Sequence, residues 1–225
     1  MQASSLPLRL SPAPAVEWRA SGEPVPYQQA VSFMEARARA IREAAAPELV
    51  WLLEHPPIYT AGTSAQSGDV LRARFPVHRT GRGGQVTYHG PGQRVAYAVL
   101  DLQALFAPDA PDLRRYIRFL EQWIIAALAR LGVEGFTRQG RIGVWTNVPG
   151  GEAKIAAIGV RVRKWVSYHG IAVNVAPDLS HYDGIVPCGI RDYGVTSLQA
   201  LGVEAKMHVV DAALKESFST ACGLA

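Results

Sequence analysis

The chain has 225 residues, 48% of them hydrophobic and 19% charged, with 23 Lys and Arg against 19 Asp and Glu for a formal net charge of +4. That length fits one large domain with a sizeable core, no stretch reaches the ~20 apolar residues that span a bilayer, and the start Met1-Gln-Ala-Ser-Ser-Leu lacks the layout of a secretory signal. Cys188 and Cys222 are too few for a disulfide scaffold and lack the spacing of a zinc site, and the scattered Lys and Arg form no nucleic-acid-binding run; a cytoplasmic protein that engages neither membrane nor nucleic acid is expected.

In chain order, residues 1–26 are rich in Pro and Ser without periodicity and predict an irregular leader, followed by a single domain over 27–225. Val31, Met34, Ala38, Ile41 and Ala45 recur at helical spacing and predict an amphipathic helix from Tyr27 to Ala46, stopped by Pro47. Leu49-Val-Trp-Leu-Leu, bounded by Pro47 and His55-Pro-Pro, reads as a buried strand, and Val77-His-Arg and Gln93 to Leu100 as strands around a glycine-rich turn. A second amphipathic helix runs from Leu113 to Leu131 and closes at Gly132. Between Ile142 and Val175 follow four β-type segments, Ile142–Trp145, Ile155–Val162, Val166–His169 and Ile171–Val175, with hairpin turns at Asn147-Val-Pro-Gly-Gly and at Arg163-Lys164. A closing helix spans Val209 to Thr220. Strands in a meander with helices at either end predict an α+β fold: a mixed, mainly antiparallel sheet flanked by helices.

Three places could carry chemistry. Arg82-Gly-Gly-Gln-Val-Thr-Tyr-His-Gly-Pro-Gly-Gln93 lets backbone approach a ligand while polar side chains converge, without matching a phosphate loop or a dinucleotide fingerprint; a purely structural hairpin is the competing reading. Lys154 opens Ile155-Ala-Ala-Ile-Gly159, whose small residues leave room beside them, although a lysine at a strand end is ordinarily a surface residue. Cys188 sits between Pro187 and Gly189, a turn context rather than a regular element, whereas most lone cysteines are buried and inert; Cys222, near the end of a helix, takes that inert reading. The six histidines lack metal-site spacing, no Gly-x-Ser-x-Gly elbow is present, and the string Tyr88-His89-Gly90 returns as Tyr168-His169-Gly170, suggesting two histidine-bearing walls around one pocket.

These blocks, with Tyr168-His-Gly-Ile-Ala-Val-Asn-Val175, Gly184-Ile-Val-Pro-Cys-Gly-Ile190, Gly194-Val-Thr-Ser-Leu198 and His55-Pro-Pro-Ile-Tyr-Thr, closely resemble the octanoyltransferases of lipoate biosynthesis, the lipoate-protein ligase B family, collinearly from about Tyr27 onward. The resemblance implies the fold of lipoate and biotin protein ligase catalytic domains, no cofactor and no metal. The implied reaction carries an octanoyl group from octanoyl-acyl carrier protein to the target lysine of lipoyl domains, those of 2-oxoacid dehydrogenase complexes and of the glycine cleavage carrier protein. It also implies that Cys188 is the acyl-thioester nucleophile and that Lys154 lowers its pKa. Substrate-binding residues implied in the same way are Arg82, Gly83, Gly84, Gln85, Val86, Thr87, Tyr88 and His89; then Ala157, Ile158 and Gly159; then Gly170, Ile171 and Ala172. Pro149-Gly-Gly151 lengthens the turn ahead of the lysine relative to the family pattern. An ATP-dependent lipoate or biotin protein ligase and a non-catalytic carrier-protein binding module are the alternatives, and nothing in the pattern calls for more than a monomer.

The implied chemistry is self-consistent. An ordinary cysteine of pKa near 8.5 is only about 3% thiolate at pH 7, and a neighbouring ammonium that lowers this by about two units, roughly 2.7 kcal/mol, makes the thiolate the main form. Thioester exchange onto the cysteine is near neutral in energy and amide formation is downhill, so neither step needs ATP.

Overall fold

The structure is a computed structural model that describes residues 16–186 and 193–222. Its main sheet is built in the order β1 (Glu17–Ala20), β2 (Leu49–Leu53), β6 (Gln93–Val99), β10 (Val166–Asn174), β9 (Gly151–Arg163), β8 (Arg141–Val148) and β7 (Phe136–Arg138), with β11 (Gly194–Val195) beside β9. The β1–β2 and β11–β9 pairs are parallel and the others antiparallel, the mixed, mainly antiparallel sheet expected. A smaller sheet, in the order β4 (Val77–Arg79), β3 (Ile58–Ala61), β5 (Val86–His89), stands apart from it.

The two amphipathic helices bury much of the stripe that their spacing predicts, Met34 and Ala38 in the first and Leu120, Ile124 and Leu128 in the second. α1 (Tyr27–Arg42) packs Ala30, Met34 and Ala38 against Leu49, Trp51, Val95, Tyr97 and Tyr168 of the sheet. It ends four residues short of the expected Ala46, because Ala44 takes a left-handed φ of 54°. The other core joins sheet residues such as Val50, Leu52 and Ala98 to α3 (Leu113–Arg130) and α4 (Met207–Ala221); Asp112 caps α3 by accepting the Arg115 N–H. Trp123 of α3 meets the Phe218 ring at 5.1 Å and donates its indole N–H to the Leu214 carbonyl at 2.7 Å, which locks the two helices together. Cys222 is buried in this core. The short helix α2 (Leu102–Phe106) adds Leu102, Leu105 and Phe106 to it.

Several elements depart from the sequence reading, which assigned no element to β3, β5, β7, β11 or α2. The leader is not irregular as far as residue 26, since Glu17–Ala20 forms β1, held in parallel register with Leu49–Leu52; only Trp18 of its side chains packs on the core, which gives no periodic signal, and pairing makes it a strand. The segments Val166–His169 and Ile171–Val175 are one strand, β10, and Gly170 does not break it. The turn at Lys164-Trp165 is a tight hairpin in which both residues take positive φ, 51° and 61°, without glycine.

Candidate active site

β9 carries an extra residue. Val144 of β8 faces Ala156 and Trp145 faces Lys154, which leaves Ile155 as a bulge. Side chains alternate along a regular strand, so Lys154 and Ala157 would otherwise point to opposite faces; the bulge turns Lys154 to the side of Ala157 and Gly159, and all three line one cavity of about 430 Å³. Its floor consists of two cross-strand rows, Tyr97–Gly170–Gly159 and Val95–Ala172–Ala157. The small residues in each row are what keep the slot open, and at Gly170 a Cβ would stand 2.2 Å from the Ala96 carbonyl oxygen. Ile158 and Ile171, also register partners, line the cavity as well, and Leu113 and Ile117 of α3 with Ile142 of β8 add apolar lining that the sequence reading missed.

The glycine-rich loop covers this floor. Gly83 N–H donates to the Val160 carbonyl at 2.8 Å, and Arg82, Gly83, Gly84, Gln85, Thr87 and His89 all line the cavity. Val86 and Tyr88 do not: strand alternation sends them into a separate cluster with Tyr59, Ala61 and Ile185. Arg82, buried, works as a clamp on its own loop. Its guanidinium donates to the Thr60 carbonyl at 2.6 Å, to Thr60 Oγ1 at 2.7 Å and to the carbonyls of Gly83 and Gln85 at 2.9 and 3.0 Å.

Three buried histidines adjoin the cavity. His55 Nδ1 lies 2.6 Å from the Val25 carbonyl, which can only accept, so Nδ1 carries the proton and Nε2 accepts from the Tyr97 hydroxyl at 2.6 Å. The same logic fixes His89: Gln93 donates its amide nitrogen to Asn174 Oδ1 and the Tyr182 hydroxyl, so its Oε1 accepts from His89 Nδ1 at 2.6 Å and His89 Nε2 is left unprotonated. His169 is held at a left-handed φ of 61°, donates its backbone N–H to Met34 Sδ at 3.3 Å, and stacks on Tyr27 with centroids 6.4 Å apart. Burial, reinforced by the Arg82 charge, pushes His89 and His169 down to about 3, and burial pushes His55 down to about 4. All three rings are neutral at physiological pH. Tyr27 and Tyr97 belong to this cage through spatial contacts that no local motif announces, and they bring in His55 of the His55-Pro-Pro block.

Lys154, expected as the partner of the nucleophile, is buried rather than a surface residue at a strand end. Its Nζ donates to the Ile142 carbonyl at 3.0 Å and lies 4.9 Å over the Trp145 ring. Cys188, the expected nucleophile, lies outside the described residues. Both flanks of its segment are tied down: Val186 N–H donates to the Asp69 carbonyl at 2.7 Å, and on the far side Val195 pairs with Lys154 itself. Among the described residues no group of three or more His, Cys, Asp or Glu is arranged to hold a metal ion, and no helix is long and apolar enough to cross a membrane.

Residues 26–219 match the lipoyl protein ligase A/B catalytic domain. Proteins named octanoyltransferase are similar over nearly the whole length: 60% identical in Paramagnetospirillum magneticum, over 92% of this chain and 97% of that one, and 59% identical in Parvibaculum lavamentivorans, over 93% of each. The chain belongs to the octanoyltransferase family. It is therefore an acyltransferase. Among solved structures, a bipartite lipoate protein ligase of Thermoplasma acidophilum, described with its E2 lipoyl domain, superposes with a TM-score of 0.68 at 18% identity, over 92% of this chain and 84% of that one. A biotin protein ligase of Aquifex aeolicus, in complex with biotin and ATP, gives 0.53 at 13% identity, over 92% and 69%. At these identities the octanoyltransferase fold is what the chain shares with the ligases.

Proposed function

We propose that residues 27–225, with β1 joined to their sheet, transfer an octanoyl group from octanoyl-acyl carrier protein to the target lysine of lipoyl domains, without ATP and through a thioester on Cys188. The observation that carries this reading is the pairing of Val195 with Lys154 at an apolar cavity: the chain leaving the Cys188 segment returns directly to the strand that bears the lysine. In the first step the Cys188 thiolate attacks the donor thioester; a new thioester forms on the enzyme and the carrier leaves as its thiol, taking one proton. In the second step the acceptor's neutral amine attacks that thioester, an amide forms, and the proton lost by nitrogen returns to the Cys188 sulfur. Lys154, as ammonium, favours the thiolate before the first step and, as amine, can take the proton in the second.

The acyl chain fits the slot over Gly159, Gly170, Ala157 and Ala172, closed above by the loop that Arg82 clamps. The net charge of +4 suits an acidic carrier protein by steering encounter, and the reading places the reaction in the cytoplasm, with lipoyl domains of 2-oxoacid dehydrogenase complexes and the glycine cleavage carrier as acceptors. Incubation with octanoyl-acyl carrier protein should add one octanoyl mass to Cys188 by intact mass spectrometry, and Cys188→Ser should abolish both adduct and turnover. Absence of the adduct, full turnover by Cys188→Ser, or pyrophosphate release that depends on ATP would overturn the proposal.

A further inference from the structure

Glu121 is a carboxylate on α3 with only 8% of its surface exposed, and neither the packing of the helix nor the acyl-transfer steps has yet used it. Its Oε1 accepts the backbone N–H of Gly143 at 3.3 Å. That N–H belongs to the peptide unit that joins Ile142 to Gly143, and the carbonyl of the same unit accepts from Lys154 Nζ at 3.0 Å. One planar amide thus stands between a buried carboxylate and the lysine, its N–H turned to the first and its C=O to the second. The backbone is shaped for this. Gly143 has φ 117°, and a Cβ there would lie 2.7 Å from the Ala156 carbonyl oxygen and 3.4 Å from Lys154 Cε, so no side chain could occupy the position without moving the amide or the lysine. Gly143 also precedes the register shift that turns Lys154 toward the cavity.

We infer that Glu121 is a positioning residue for Lys154, acting through the Ile142–Gly143 peptide. The inference rests on the reading of Lys154 as the partner of Cys188. By accepting the N–H, the carboxylate fixes the plane of the amide and draws electron density onto its carbonyl oxygen, which strengthens the bond that this oxygen receives from Lys154. The lysine has four rotatable side-chain bonds and a shared wall with an open cavity; without an anchored carbonyl its amine would sample the cavity rather than stay at one point.

The test is the rate of iodoacetamide alkylation of Cys188 at pH 7, with turnover measured beside it. Glu121→Met keeps the bulk of the side chain and removes the acceptor, and Glu121→Leu is a second apolar replacement; both should slow alkylation by roughly tenfold, the scale of one hydrogen bond to a charged group, and lower kcat with the KM for carrier protein unchanged. Glu121→Gln keeps an oxygen acceptor for the Gly143 N–H and should recover to within about threefold of the parent rate. In the Lys154→Ala background, adding Glu121→Met should slow alkylation no further, because the lysine through which Glu121 acts is gone. Equal slowing in both backgrounds, no slowing in the parent background, or a Glu121→Gln rate as low as that of Glu121→Met would overturn the inference while leaving Lys154 in its role. Unchanged alkylation in Lys154→Ala alone would remove that role and the inference with it.

Discussion

The tripeptide Tyr-His-Gly occurs twice, at residues 88–90 and 168–170, and the two copies reach the same cavity by different backbone routes. In the first, His89 lies at the end of the regular strand β5, its alternate neighbour Tyr88 points away to bond His181 at 2.8 Å, and its ring is fixed by a side-chain amide. In the second, His169 lies inside β10 at φ 61°, and its backbone N–H donates to Met34 Sδ at 3.3 Å. The glycines differ too: a Cβ at Gly90 would meet the Tyr88 hydroxyl at 1.8 Å, whereas at Gly170 it would meet backbone, the Ala96 carbonyl at 2.2 Å. An identical string therefore specifies where the imidazole ends up and leaves the strain, the partners and the cost of change to its surroundings.

That contrast predicts a ranking. Gly170→Ala should be the most damaging substitution, at least about 3 kcal/mol in urea unfolding, because main chain in the middle of a sheet cannot move aside; Gly90→Ala should cost about 2 kcal/mol, since a phenol ring can shift. Equal losses would mean that the two sites are under the same constraint. The second prediction concerns pH and should treat both copies alike. His89 and His169 titrate at about 3 and His55 at about 4 in the folded chain, against about 6.5 when unfolded. Between those values the unfolded chain binds protons that the folded chain refuses, so the stabilisation is complete above about pH 6.5 and is lost as pH falls toward 3. At pH 5 the loss is about 2 kcal/mol per histidine, read as a lower urea midpoint than at pH 7, and His89→Gln should flatten that dependence by its share. The smallest effect separates the backbones: His169→Asn should be about 1 kcal/mol more stable than His169→Leu, because asparagine tolerates a left-handed φ, while Asn and Leu at residue 89 should not show that order.

The sequence made the amphipathic helices legible, because α1, α3 and α4 each carry their own buried stripe, and it made the loop Arg82–Gln93 and Lys154 legible through glycine density and a lysine set before small residues. What it hid depends on contacts between distant segments. β1 is a strand only because Leu49–Leu52 lie beside it. The exclusion of Val86 and Tyr88 from the cavity follows from alternation along β5, which the sequence reading had merged into one binding block. The extra residue at Ile155 has no local signature, yet it decides which face Lys154 joins. Arg82, expected as a ligand contact, lines the cavity and is also a brace on its own loop, a role visible only once Thr60 of β3 stands next to it.

The depressed histidines also measure something about any visitor. What keeps His89 and His169 unprotonated is a property of their surroundings, namely the loss of water and the nearby guanidinium of Arg82. A lysine side chain delivered there from another protein would be pressed to leave its proton outside. On the proposed acyl-transfer reading, an acceptor lysine brought beside these two rings would therefore arrive as the amine whose lone pair can attack.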